Sequence, residues 1–144
     1  MIKVFIGGSI SIKALDDNII ARLEGIINKN LTVLIGDAYG ADKEVQQYFA
    51  SHKYKAVTVY ACNNRARNNV GAWNISNIQA NGLYGRELYT QKDIAMTNDC
   101  DIAFMIWDGK SVGTLNNIKR LRSQNKRCIV YTNGQFYECS TVRN

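Results

Sequence analysis

Five short, almost uninterrupted apolar runs constrain the fold of this chain most strongly. They begin at Ile2, Thr32, Ala56, Ile102 and Cys128, and each is four or five residues long and rich in β-branched or aromatic residues. Runs of this kind are typical of strands that are buried on both faces of a sheet. The sequence therefore predicts five buried strands.

Apolar residues with helical spacing lie between the predicted strands. The clearest stripe comprises Leu15, Ile19, Leu23 and Ile26. Strands that alternate with helices indicate βαβ crossovers, which place helices on both faces of a parallel sheet. We therefore predict an α/β fold, a three-layer sandwich around a mainly parallel, five-stranded sheet.

The 144 residues have the usual length of one domain, and we predict a single domain over residues 1–144. Residues 61–85 are rich in Asn, Gly and Ala and are predicted to form a long loop at the carboxyl edge of the sheet. The tail, residues 132–144, is expected either to add an edge strand or hairpin or to be disordered.

The charge of the chain indicates the class of its partners. The formal net charge is +6, which favours anionic partners such as nucleotides, nucleic acid or acidic lipid. No stretch approaches the roughly 20 apolar residues of a membrane helix, so we expect no membrane partner. The apolar run at the amino terminus is too short for a secretory signal and reads as a strand, which predicts a cytoplasmic protein.

The cysteines and the single histidine, His52, do not form a metal-binding pattern. Cys62, Cys100, Cys128 and Cys139 are far apart in the sequence and include no CxxC pair. A structural zinc site needs clustered sulfur and nitrogen ligands. We therefore predict reduced, mostly buried thiols, no metal and no cofactor.

Three predicted strands are followed by turns of glycine and small polar residues, at residues 7–9, 36–42 and 107–114. Glycine lets backbone N–H groups approach an anion, and the helix that follows adds unpaired N–H groups and the positive end of its dipole. Because carboxyl ends of parallel strands share one edge, the turns are expected to converge on one cleft. Neither GxxxxGK[ST] nor GxGxxG occurs, which disfavours P-loop enzymes and standard dehydrogenases.

The same turns resemble motifs of the SLOG superfamily of Rossmann-like nucleotide-binding proteins, which includes the LOG phosphoribohydrolases and the DNA-processing protein DprA. Residues 36–42 (GDAYGAD) are similar to the GxxxGAD element of small SLOG proteins. Residues 107–114 (WDGKSVGT) are similar to the WDGxSxGT element, which takes the place of the PGGxGTxxE loop of LOG enzymes. The resemblance extends from Ile2 to Tyr131 and implies a Rossmann-like fold.

The turns and the resemblance together predict one set of ligand-binding residues. In small SLOG proteins a basic residue of the segment 85–93 faces the ligand, and Arg86 is the candidate here. Tyr39 and Trp107 could stack on a base, although Trp107 could equally pack in the core, and Asp42 could instead serve the start of a helix. The predicted ligand-binding residues are Gly7, Gly8, Ser9, Gly36, Asp37, Tyr39, Gly40, Ala41, Asp42, Arg86, Trp107, Asp108, Gly109, Lys110, Ser111, Gly113, Thr114 and Asn117.

Asn117 departs from the LOG pattern. In LOG enzymes a glutamate three residues past the Gly-Thr pair helps to cleave the N-glycosidic bond, and Asn117 stands at that place. An amide cannot act as a general base or carry a stabilising negative charge. The sequence therefore favours ligand binding over LOG-type hydrolysis, with Asn117 available to hydrogen-bond a ribose or a base.

The leading hypothesis is a protein that binds a nucleotide or nucleotide-derived small molecule, as a sensor, a carrier or a signalling or defence component. The alternative is an enzyme of the N-glycosidic bond, a phosphoribohydrolase or a deoxyribosyltransferase-like protein. Its candidate catalytic carboxylates are Asp37, Glu87 and Asp108. Nucleic acid is a less favoured partner, because no recognition helix or interleaved aromatic and basic patch is evident. A homodimer or higher homo-oligomer is expected, since related proteins commonly pair through helices.

Overall fold

The structure, a computed structural model, describes residues 1–139 as alternating strands and helices. The strands are β1 (Lys3–Gly8), β2 (Thr32–Gly36), β3 (Val57–Cys62), β4 (Asn74–Ile78), β5 (Ile102–Ile106), β6 (Arg127–Thr132) and β7 (Gln135–Glu138). The helices are α1 (Asp17–Asn28), α2 (Ala41–Ser51), α3 (Gly85–Asp99) and α4 (Val112–Ser123). Over this range the strands form one sheet in the order β4-β3-β2-β1-β5-β6-β7, in which β7 alone is antiparallel to its neighbour.

The sheet separates two apolar cores, as expected for a three-layer α/β fold. Along β1, Val4 and Ile6 pack with α1 and α2, whereas Phe5 packs on the opposite face with α3 and α4. The same alternation continues in β2, β3 and β5, so both faces of the central strands are buried. This burial explains why their sequences are almost continuously apolar. It also shows that the α/β, three-layer prediction is correct.

The predicted number of five strands is wrong, because the described residues form seven. Strand β4 lies inside the segment 61–85, which was expected to be a loop, and β7 lies inside the tail 132–144. Both are edge strands, and all four residues of β7 are exposed. An edge strand that faces solvent needs no continuous apolar run, so the pattern that revealed the central strands is missing there. Residues 140–144 of the tail lie outside the described residues.

All four cysteines are free thiols, with Cys62, Cys100 and Cys128 buried and Cys139 half-buried. No helix within residues 1–139 has the length and apolar character needed to cross a bilayer.

The order of the strands determines where a ligand could bind. The chain passes from β1 through β2 and β3 to β4 in one direction, then returns to the other side of β1 and adds β5, β6 and β7. The crossovers therefore change direction between β1 and β5. In open α/β sheets, the crevice at such a switch point, outside the carboxyl ends of the strands, is the usual position of a ligand.

Candidate functional site

A cavity of about 420 Å³ opens at the carboxyl ends of β1, β2 and β5. Its walls come from the turns after these strands, from one side of α3 and from the first turns of α4. Residues of all three glycine turns predicted from the sequence contribute to it: 7–9 from the first, Ala38 and Asp42 from the second, and several residues of 108–114 from the third. The turns therefore lie at one edge of the sheet.

The structure divides the predicted ligand-binding residues into two groups. Those that line the cavity are Gly7, Gly8, Ser9, Asp42, Arg86, Asp108, Ser111, Gly113, Thr114 and Asn117. Those that lie outside its lining are Gly36, Asp37, Tyr39, Gly40, Ala41, Trp107, Gly109 and Lys110, together with the candidate catalytic residue Glu87. The second group mostly shapes the turns. Gly40, for example, has a φ of +75° and approaches Ile10 so closely that a Cβ atom would lie 2.3 Å from the Ile10 carbonyl oxygen.

Ser9 joins the three strand ends. Its hydroxyl forms a 2.7 Å hydrogen bond with the Ser111 hydroxyl and accepts one from the Asp108 N–H at 3.0 Å. Its carbonyl oxygen accepts a hydrogen bond from the N–H of Ala41, the first residue of α2, at 3.1 Å. Ser9 is only 2% exposed, so these contacts fix the relative positions of the turns.

The Asp108 carboxylate stabilises its own loop. It accepts hydrogen bonds from the N–H groups of Lys110 and Ser111, both at 2.8 Å, and from the Ser11 hydroxyl at 2.7 Å. These donors hold the pKa of Asp108 far below its usual range, so the carboxylate is ionised at neutral pH. Trp107 is turned away from the large cavity: its Nε1 donates to the Ser111 carbonyl at 3.0 Å, and the residue lines a smaller depression with Tyr131 and Thr132.

Unused hydrogen-bond donors face the cavity at the start of α4. The first turn has no acidic residue, and the side chain of the N-cap, Ser111, does not cap the helix. The N–H groups of a first turn lack acceptors inside the helix. Thr114 is 4% exposed and lines the cavity, and its hydroxyl has no hydrogen-bond partner among the described residues. Asn117, 5% exposed, accepts a 2.5 Å hydrogen bond from Arg120 through Oδ1, which leaves its Nδ2 amide available.

Arg67 is a cavity residue that sequence reasoning missed. It comes from the segment after β3 and donates to the buried Asp37 twice, from its backbone N–H at 2.9 Å and from Nη2 at 2.7 Å. Its guanidinium carbon lies 3.7 Å from the centre of the Tyr89 ring, on α3. The salt bridge with Asp37 and the stacking on Tyr89 hold the guanidinium at the cavity wall. An arginine in an Asn-rich segment gives no sequence signal for this role.

Gln46 of α2 anchors the segment that carries Arg67. Its Nε2 donates to the carbonyls of Gly36 and Asn68, at 2.9 and 3.1 Å, and its Oε1 accepts from the Val70 N–H at 2.9 Å. Gln46 is 0% exposed, and its hydrogen bond to the Gly36 carbonyl is fully buried, which strengthens it. The segment between β3 and β4 is therefore held in place by hydrogen bonds to a buried side chain.

Asp42, Lys92 and Asp93 form a cluster of ionisable groups at the bottom of the cavity. The Lys92 ammonium donates to Asp93 at 3.0 Å, and the Asp42 carboxylate accepts from the Ala38 N–H at 3.1 Å. Burial raises the pKa of Asp42 to about 7, although the charge of Lys92 opposes the shift. Burial lowers the pKa of Lys92, but Asp93 and Asp42 outweigh it, so the net shift is upward and Lys92 stays charged.

Comparison with known proteins gives a structural neighbour. No family model and no curated protein matches the sequence. The chain superposes on DNA processing protein A from Helicobacter pylori, a protein described with a single-stranded DNA binding mode, with a TM-score of 0.68 and 14% sequence identity. The fold is shared with that protein. The match covers 90% of this chain and 64% of the other, so the chain spans less than two thirds of its neighbour's length.

Proposed function

We propose that this protein binds a nucleotide or nucleotide-derived ligand in the large cavity, with a phosphate group at the start of α4. The observation that carries this proposal is that the Thr114 hydroxyl and the first-turn N–H groups of α4 line the cavity and have no partner within residues 1–139. A phosphate at a helix N-terminus accepts hydrogen bonds from such groups and is attracted by the helix dipole.

The charges of the cavity support one small ligand rather than a long polyanion. The cationic lining residues, Arg67, Arg86 and Lys92, are balanced by Asp42 and Asp93 at the bottom and by Asp108 in the loop. Arg67 and Lys92 each already have a carboxylate partner. The start of α4 and the exposed Arg86 therefore offer the best place for a negative group.

We also propose that the chain is a member of the SLOG superfamily. The fold shared with DNA processing protein A supports this assignment, as do the GDAYGAD and WDGKSVGT elements that meet at the edge of the sheet.

The N-glycosidic alternative has less support. Asp37 is 0% exposed and paired with Arg67, the Asp108 carboxylate is bound by its own loop, and Glu87 lies outside the cavity lining. The candidate catalytic carboxylates are therefore engaged or lie outside the cavity lining, whereas the Thr114 hydroxyl has no partner in the described part of the chain.

Isothermal titration calorimetry against nucleoside mono- and diphosphates, NAD and ADP-ribose tests the proposal. For the tightest ligand of this panel, we expect Thr114→Val to weaken binding about fivefold to tenfold, because it removes one hydroxyl without changing side-chain volume. Thr58→Val is the matched control, since Thr58 lies on β3 outside the cavity lining and should leave the affinity unchanged. Absence of binding across the panel at millimolar concentration, or equal affinities for Thr114→Val and the parent, would contradict the proposal.

A second candidate function is binding of single-stranded nucleic acid. The neighbour's described single-stranded DNA binding favours it, as do two exposed tyrosines, Tyr39 at 54% and Tyr84 at 83%, which lie within two residues of the cavity-lining Ala38 and Arg86 in the sequence. Bases stack on exposed aromatic rings in such proteins, and the affinity falls steeply with salt. Fluorescence anisotropy with a labelled oligothymidylate tests it: salt-dependent binding that Tyr84→Ala weakens supports this candidate, and no change in anisotropy rejects it.

A further inference from the structure

The bottom of the cavity holds two nearly buried polar groups that are under-used as hydrogen-bond partners. Asp42 and Lys92 are 6% and 4% exposed, and both line the cavity. Among the described residues, the Asp42 carboxylate accepts only the Ala38 N–H, and the Lys92 ammonium donates only to Asp93. A carboxylate can accept several hydrogen bonds and an ammonium can donate three. Both groups therefore have unused capacity at the cavity surface.

The end of β2 brings these two groups close together. A Cβ atom on Gly36 would lie 2.6 Å from Oδ2 of Asp42 and 2.8 Å from Nζ of Lys92. Asp42 and Lys92 thus flank the same point above Gly36, although the salt bridge of Lys92 is formed with Asp93. Any other residue at position 36 would push the two groups apart. The glycine therefore keeps a carboxylate and an ammonium within reach of a single bound group.

The charge of the cluster decides which kind of group fits. The Lys92 ammonium is already paired with Asp93, and the Asp42 carboxyl group lies beside it, so no unpaired positive charge is left to hold a phosphate at this position. A cationic group would be repelled by the positive charge of the Lys92 ammonium. A hydroxyl group carries no charge and can either donate to Asp42 or accept from Lys92. Two adjacent hydroxyls match the pair best, since each polar group then gains its own partner.

We propose that Asp42 and Lys92 form a subsite for the vicinal hydroxyl groups of a sugar, so that the cavity selects ribosyl over 2-deoxyribosyl ligands. This inference rests on the proposed function, which places the phosphate of the same ligand at the start of α4. Loss of one hydroxyl leaves either the buried carboxylate or the buried ammonium without its ligand partner, and specificity for a hydroxyl-bearing ligand arises from that penalty.

Calorimetric titration with ribose 5-phosphate and 2-deoxyribose 5-phosphate tests this subsite without requiring the identity of the base. The parent protein should bind ribose 5-phosphate at least about tenfold more tightly. In Asp42→Asn, which keeps the side-chain size and an acceptor for the Ala38 N–H, that preference should fall to about threefold or less. Asp101→Asn, a change at an exposed carboxylate between α3 and β5, should retain the full preference.

Failure of the sugar subsite and failure of the proposed function give different results in these titrations. Equal affinities for the two sugar phosphates, or tighter binding of the deoxy compound, would overturn the sugar subsite and leave the proposed phosphate site intact. An unchanged preference in Asp42→Asn would also overturn the assignment of the subsite to Asp42. If neither sugar phosphate nor any nucleotide of the panel binds, the proposed function and the subsite both fail.

Discussion

Replacement of Arg67 by alanine is expected to lower the free energy of unfolding by about 3–5 kcal/mol at neutral pH. Asp37, the partner of Arg67, is 0% exposed, and its carboxylate receives both the backbone N–H and the guanidinium of Arg67. Without the guanidinium a buried negative charge loses its only salt bridge among the described residues. The stacking of Arg67 on Tyr89 is lost as well. Urea unfolding followed by circular dichroism measures the change.

Two further variants make this prediction specific. Arg65→Ala removes an exposed arginine from the same segment and should change the free energy of unfolding by less than about 0.5 kcal/mol. The double variant Asp37→Asn, Arg67→Ala should be more stable than Arg67→Ala by at least about 1 kcal/mol, because no buried charge is left unpaired. Equal stabilities of Arg67→Ala and Arg65→Ala would show that the salt bridge does not hold the segment in place.

Replacement of Asp42 by asparagine is expected to stabilise the protein at alkaline pH. Burial raises the pKa of Asp42 from 3.8 to about 7 in the folded state, against the charges of Lys92 and Arg67 and with those of Asp93 and Asp37. The folded protein therefore binds this proton more tightly than the unfolded chain does. The contribution of the Asp42 carboxyl group to the free energy of unfolding is fully present below pH 3.8 and is lost as the pH rises to about 7. The loss amounts to about 4 kcal/mol for a shift of this size.

Asparagine does not ionise, so the variant avoids that loss. Asp42→Asn should exceed the parent in free energy of unfolding by about 2–4 kcal/mol at about pH 8 and differ little from it at about pH 4. Asp101→Asn should show no such pH-dependent difference. A lower stability of Asp42→Asn at alkaline pH would contradict the account of Asp42 as a buried charge retained for ligand binding at the cost of stability.

The sequence contained enough information for the central part of the fold. Strands β1, β2, β3, β5 and β6 are buried on both faces, and that burial produces apolar runs that are visible in the chain. The edge strands β4 and β7 lack this signature. Asn74, Ser76 and Asn77 of β4 are poor strand formers by composition, and only pairing with β3 makes them a strand.

The sequence predicts the part of the candidate site that lies in the turns after strands. Their positions after strands identify Gly8, Ser9, Gly113 and Thr114. These residues line the cavity because the carboxyl ends of parallel strands lie at one edge of the sheet. Arg67 is not identified in this way, because its position depends on hydrogen bonds between its loop and Gln46 of α2 that no local pattern encodes.

The positions of Lys92 and Asp93 at the cavity are also not predictable from the local sequence. They lie on α3, like Arg86, and charged residues on a helix are solvent-exposed in the usual case. Lys92 is instead buried against the end of β2, where Gly36 leaves space for its ammonium group. Such a contact between distant segments becomes visible only when the helix is packed on the sheet.

The claim that the start of α4 binds phosphate can be tested by NMR titration of ¹⁵N-labelled protein with ribose 5-phosphate. We predict saturable shifts of the backbone amide signals of Gly113 and Thr114, accompanied by those of Gly8 and Ser9, at concentrations up to about 10 mM, a range that covers binding free energies near −4 kcal/mol. The amide signals of β7, on the outer edge of the sheet, should not move. Shifts confined to residues outside the cavity, or no shift at Gly113 and Thr114 at any concentration, would contradict the assignment of the phosphate site.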